Sequence, residues 1–314
     1  MRVLVMGGGG VGGYYGAVLH RGGHDVTFVA RGEHLDAIRR HGLRVESVAS
    51  GDFTVHPAVT ERPDSTHEAD LVLFCVKSYD NPEAINLIGP AVGPNTSILT
   101  LQNGIGSGDD LAAAFGRRRV LLGATYIDGE KKAPGVVAET GEACEIVFGE
   151  EDGTTTKRAV AVRDAMEGAG IGVELSSDVL KELWHKLVFI CAFSGMICVT
   201  RAALPEILGT PESEDMTWSV MREAGAVGAA KGVALDEGIV ERTMDRFRAI
   251  SGPVVSSMYT DLQRGSRLEI DVLNGAVSRM GKGLGVATPA NDFITASLLV
   301  SHNRAVAQRS SSGS

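Results

Sequence analysis

The sequence predicts an α/β protein, a doubly wound parallel sheet followed by an all-helical second domain. Three observations predict it. Short apolar runs alternate with helical segments over roughly the first 130 residues. A run of glycines stands directly between the first apolar run and the first helix. From Ser176 onward nearly every segment carries helical periodicity. At 314 residues the chain is long for one core, so two domains are expected.

The elements follow in order. RVLVM (2–6) reads as a strand, VGGYYGAVLHRGG (11–23) as a helix and DVTFVA (25–30) as a second strand. GEHLDAIRRHG gives a helix that ends at Gly42, and two short strands follow around LRVES and DFTVH. LVLFCV (71–76), SILTL (97–101) and VLLGAT (120–125) are apolar and rich in β-branched residues, as strands covered on both faces are. Strands alternating with helices imply right-handed crossovers and a parallel sheet. GVVAET and CEIVFGE read as a hairpin, 155–169 as a helix and IGVEL (171–175) as the last strand. Segments 178–200, 215–231, 237–250, 269–283 and 290–307 read as helices, with Pro and Gly between them. The expected division is 1–176 and 177–314, with 310–314 (SSSGS) a disordered tail.

Composition removes several function classes. A net charge of -9 argues against nucleic acid, which rewards clustered Lys and Arg. The N-terminal apolar run is broken at once by glycine, so no secretory signal is expected. The apolar, uncharged stretch Leu187 to Thr200 has 14 residues, which is short for a bilayer and suits a buried helix. A cytoplasmic protein without a membrane partner is the expectation. Cys75, Cys144, Cys191 and Cys198 form no CxxC pair and the histidines show no ligand spacing, so neither disulfide nor metal is expected.

Gly7, Gly9 and Gly12 have GxGxxG spacing, with Gly10 and Val11 completing the turn into the helix. In a Rossmann-type βαβ unit the first glycine makes the tight turn and the second lets backbone meet a pyrophosphate. The third packs helix on strand, and the helix N-terminus favours the phosphate charge. The end of the second strand then separates NAD from NADP. VTFVARGEH puts Arg31 where NAD binders usually carry Asp or Glu, and a cation suits a 2′-phosphate. The alternative is an exposed arginine paired with Glu33. Lys77 and Asn103 stand just past two further strands, at the carboxyl edge where open α/β sheets bind ligands.

The string GGGGVGGYYGAVLHRGGHDVTFVARGEH, followed by VKSYD, LQNGIG, LWHKL, SSMYTDLQRGSRLEID and VATPAND, resembles the ketopantoate reductase (2-dehydropantoate 2-reductase) family over almost the whole chain. The resemblance implies reduction of ketopantoate by NADPH to pantoate, for pantothenate and coenzyme A synthesis. It places the family's catalytic lysine on Lys186, the substrate-contacting glutamate on Glu269 and the carboxylate-end serine on Ser257. It matches the strand-end lysine and asparagine to Lys77 and Asn103. Hydride delivery to a carbonyl leaves charge on oxygen, and an ammonium can stabilise that charge and donate the proton. Partial burial, with Asn103 as partner, would bring the Lys186 amine into a working range. Glu269 would accept a substrate hydroxyl or hold the lysine.

One departure bears on substrate. Many family members carry asparagines one and two helical turns after the lysine, on its own face. Here those positions hold Ile190 and Ser194, which points to a more apolar 2-oxo acid unless another residue replaces the contact. Two other readings stay open. One is a 3-hydroxy acid dehydrogenase of the 6-phosphogluconate type, the other an NADP-sensing protein without turnover. The first helix of the second domain is apolar enough to face another subunit, which admits a homodimer.

Overall fold

The computed structural model describes residues 1–141, 144–252, 254 and 256–312, the side chains of 310–312 excepted. Contacts divide the chain into two compact units, one of residues 1–102 and 107–179, the other of 103–106 and 180–314. The main division thus falls at 179/180 rather than 176/177, and a four-residue piece around Asn103 counts with the second unit.

The first unit is built on an eight-stranded sheet. Its strands are β1 (Arg2–Met6), β2 (Asp25–Val29), β5 (Ala58–Thr60), β6 (Leu71–Phe74), β7 (Ser97–Thr100), β8 (Val120–Tyr126), β11 (Glu145–Gly149) and β12 (Gly172–Leu175). The spatial order is β12-β11-β8-β7-β6-β1-β2-β5, parallel throughout except between β8 and β11. β6, β7 and the first six residues of β8 are buried along their length, as the apolar runs require when helices cover both faces. Helices α1 (Gly10–Arg21), α2 (Gly32–His41), α3 (Asn81–Ile88), α4 (Ser107–Phe115) and α5 (Lys157–Gly168) supply the crossovers. Thr156 starts α5 by accepting from the backbone N–H of Ala159.

The chain leaves β1 in one direction, for β2, and later fills the other side with β6. β1 is therefore the point at which the winding reverses, and the glycine loop sits at its carboxyl end.

A second sheet corrects the sequence reading. VVAE and CEIVFGE are not a hairpin. β10 (Val136–Glu139) pairs with β9 (Gly129–Ala133) and, in parallel, with β3 (Leu43–Ser47), whereas β11 joins the main sheet. With β4 (Phe53–Val55) they form the order β4-β3-β10-β9, packed on α1. LRVES and DFTVH thus pair as expected of strands, but outside the main sheet, whose far edge is the unforeseen β5.

The second unit is helical: α6 (Val179–Thr200), α7 (Leu204–Leu208), α8 (Pro211–Ala230), α9 (Ile239–Ala249), α10 (Ser257–Gln263), α11 (Asn274–Leu284) and α12 (Pro289–Ser312). α7 and α10 are short and escaped the periodicity; α11 starts five residues later than expected because a 3-10 turn, Ile270–Val272, precedes it. The expected tail is helical through Ser312; residues 313 and 314 lie outside the described residues. α6 has 22 residues, longer than its uncharged stretch, and passes a length and hydropathy test for crossing a bilayer, yet most of its apolar stretch is buried in the protein. Trp184, Leu187, Val188, Cys191 and Met196 on α6 pack with Val220, Phe247, Met258 and Ile270 into one core.

Candidate functional site

In the first unit the geometry begins with what a glycine loop excludes. Gly7 has φ +103°, and a β-carbon there would stand 2.7 Å from the Cys75 carbonyl carbon. A β-carbon on Gly12 would lie 2.2 Å from the Gly7 carbonyl oxygen, so α1 can approach β1 only without one. A β-carbon on Gly9 would meet nothing within 4 Å, so that side of the loop is open to an incoming group. α1 has no side-chain cap and no acid in its first turn. Its first N–H groups and positive end are thereby left to an anion. These features fit a dinucleotide pyrophosphate on Gly7, Gly9, Gly10, Val11 and Gly12.

A histidine the sequence reading passed over holds this loop. His34 Nδ1 accepts the Gly135 N–H at 3.0 Å, so it carries no proton, and Nε2 then donates to the Gly8 carbonyl at 2.9 Å. Desolvation, aided by Lys131, holds the imidazole below its ordinary pKa, consistent with that neutral tautomer. No local signal marks this role: both partners are backbone groups, one of them 101 residues away.

Arg31 occupies the position just before α2 and makes no capping hydrogen bond with its side chain. Its guanidinium Nη1 lies 3.1 Å from Oε1 of Glu83 on α3, so its partner is not Glu33. Lys77 follows β6, at the start of the turn Ser78–Asp80. Gln102 fixes this edge by donating from Nε2 to the Val76 carbonyl and to Asn81 Oδ1, each at 2.7 Å.

In the second unit Lys186, Ile190 and Ser194 fall four residues apart along α6, and Ser194 is buried. Desolvation pulls the Lys186 amine down to about 8, with the Glu269 carboxylate pulling the other way. Glu269 itself is buried, at the entrance to the turn Ile270–Val272. Residues 103–106 dock on that turn: Ile105 N–H donates to the Val272 carbonyl at 3.0 Å, and Gly104, at φ +85°, leaves no room for a β-carbon against the same carbonyl. Asn103 is thereby carried next to the segment that bears Glu269. Ser257 lies exposed in the first turn of α10; its neighbour Ser256 is the buried residue that caps this helix.

A buried network, also unforeseen, anchors the Glu269 segment to the lysine helix. Asn274 donates to the Cys191 carbonyl on α6 at 3.1 Å and to Asn291 Oδ1 on α12 at 2.9 Å. Asn291 donates in turn to the Val220 carbonyl and to Glu223. The Glu223 carboxylate also accepts the N–H groups of Ala290 and Asn291, capping α12. Both asparagines are fully buried. Gly195 makes room for this contact, since a β-carbon there would stand 3.0 Å from the Asn274 amide nitrogen.

Comparison with known proteins gives the same pattern over both units. A family model described as ketopantoate reductase PanE/ApbA matches residues 3–153, and its C-terminal counterpart matches residues 178–300. An uncharacterized oxidoreductase, YkpB, of Bacillus subtilis (strain 168) is 30% identical over 95% of this chain and 98% of its own length. A 2-dehydropantoate 2-reductase of Halobacterium salinarum is 33% identical over 92% and 95%. The crystal structure of a PanE/ApbA family ketopantoate reductase from Ralstonia eutropha JMP134 superposes with a TM-score of 0.90 at 34% identity, covering 97% of this chain and 99% of that one.

Proposed function

The chain belongs to the ketopantoate reductase family and is an oxidoreductase of it, and from that premise we propose that it reduces the keto group of 2-dehydropantoate with NADPH. The observation that carries the reading is a lysine on a helix of the second unit whose amine is lowered by burial to about 8, within electrostatic reach of the buried Glu269 carboxylate. The glycine loop and α1 hold the pyrophosphate, Arg31 takes the 2′-phosphate, and Lys77 and Asn103 are assigned to the cofactor on the family resemblance. When bound, the dihydronicotinamide supplies the hydride that forms the new C–H bond at the keto carbon. Lys186 binds the keto oxygen as an ammonium, stabilises the charge that builds there and gives up its proton to form the product hydroxyl. Solvent then reprotonates the amine. Glu269 keeps the lysine charged in the resting site and accepts a hydrogen bond from the substrate hydroxyl; Ser257 binds the carboxylate end.

A second substrate is favoured by one observation. Ile190, one turn after Lys186 on the same face, stands where the resemblance puts an asparagine in many family members, and it offers no hydrogen bond. On that reading the acid is a branched 2-oxo acid without the hydroxyl of ketopantoate. NADPH absorbance followed with ketopantoate and a panel of simpler 2-oxo acids separates the two. Rapid turnover confined to ketopantoate supports the first reading. Activity confined to apolar acids supports the second. NADPH bound without turnover on any acid would overturn both.

A further inference from the structure

We propose that Glu83 sets how strongly this site prefers a 2′-phosphorylated dinucleotide over an unphosphorylated one. The inference rests on the dinucleotide reading of the glycine loop. β2 and β6 flank β1 in the sheet, so the segments that follow them leave the same carboxyl edge on either side of that loop. One segment carries Arg31 and the other Glu83, and their side chains meet at 3.1 Å. About two thirds of each side chain remains in solvent, 67% and 66%.

Arg31 stands where the ribose 2′ substituent of a dinucleotide on a Rossmann-type sheet falls. A 2′-phosphate that pairs with Arg31 therefore arrives beside a carboxylate already seated on the same guanidinium. Two anions sharing one guanidinium lie on the order of 6 Å apart. In water, a carboxylate and a phosphate of charge near -2 at that distance repel enough to cost roughly a factor of ten in affinity. A bare ribose diol meets no such repulsion. Instead Glu83 offers it the carboxylate that NAD-binding sheets place at the end of the second strand, here supplied by α3. Cation and acid share the site, and the discrimination Arg31 would give alone is blunted.

The test uses Glu83→Gln, a change at an exposed position of similar size. Dissociation constants for NADPH and NADH are read from nucleotide fluorescence with the protein alone. kcat/KM for both is measured with one 2-oxo acid. The variant is expected to bind NADPH roughly tenfold more tightly while NADH is unchanged or weaker, and the gap is expected to narrow as salt screens the pair. A ratio of the two constants within twofold of the original protein's would overturn the role of Glu83 and leave the dinucleotide reading standing. Failure of the original protein to bind either dinucleotide would remove both.

Discussion

At the scale of single residues the proposed chemistry rests on one proton. Lys186 has its amine lowered from the ordinary lysine value to about 8, chiefly by desolvation. The acid form is the one that donates, so kcat/KM for reduction should hold level below that value. Above about 8 it should fall, approaching tenfold per pH unit. Glu269 opposes the shift, so Glu269→Gln should move the midpoint lower; a midpoint that stays or rises would remove the carboxylate from this role. Lys186→Ala should reduce kcat by about two to four orders of magnitude with NADPH affinity nearly intact. Arg31→Ala should weaken NADPH much more than NADH; equal losses would refute its contact with the 2′-phosphate. His34→Ala removes the bridge from Gly8 to Gly135, and should raise the dinucleotide dissociation constant, with His34→Gln recovering part of it. What was legible here was what local spacing can carry: the glycine loop, Arg31 at a strand end, a lysine in a helix of apolar residues. His34 and Glu83 were not legible. Each acts through a partner far along the chain, and a lone histidine or glutamate on a helix has many neutral explanations.

Among the elements, strands covered on both faces declared themselves, because continuous apolar runs bounded by turns have few other uses. The second sheet did not. β9 reads GEKKA, four of its five residues are exposed, and only pairing with β10 makes it a strand. Proximity suggested that 136–139 and 145–149 pair with each other; β3, some 90 residues earlier, was the actual neighbour of the first. α10 is seven residues long and is started by a buried serine, so it lacks the length that periodicity needs. The asparagine pair joining α11 and α12 is likewise a tertiary fact. Asn291→Leu would leave one Glu223 oxygen without its side-chain donor and one Asn274 amide N–H without its acceptor in the interior. A loss of about 2–4 kcal/mol in unfolding free energy is expected, seen as a lower denaturation midpoint at unchanged slope. A loss below about 0.5 kcal/mol would show the network to be incidental.

For the whole molecule, two separate apolar cores stand under two separate groups of residues, one shaped for a dinucleotide and one carrying the lysine and its carboxylate. NADPH at a hundred times its dissociation constant should stabilise the state that binds it by about 2.7 kcal/mol, read as a rise in melting midpoint. That rise should shrink with Arg31→Ala and persist with Lys186→Ala; the opposite pattern would exchange the tasks assigned to the two units. The two-unit plan was visible in the sequence, but its seam was not simple. Residues 103–106 count with the second unit, although residues 102 and 107 belong to the first. The gene therefore has no single joint at which the two units come apart. A chimera spliced to a relative at 179/180 would pair a foreign Glu269 segment with the host's own Asn103 to Gly106, and Gly104 has no room for a side chain against Val272. Recombination within such a lineage is expected to succeed only when that short stretch travels with the C-terminal half, so two distant pieces of the gene are inherited as one.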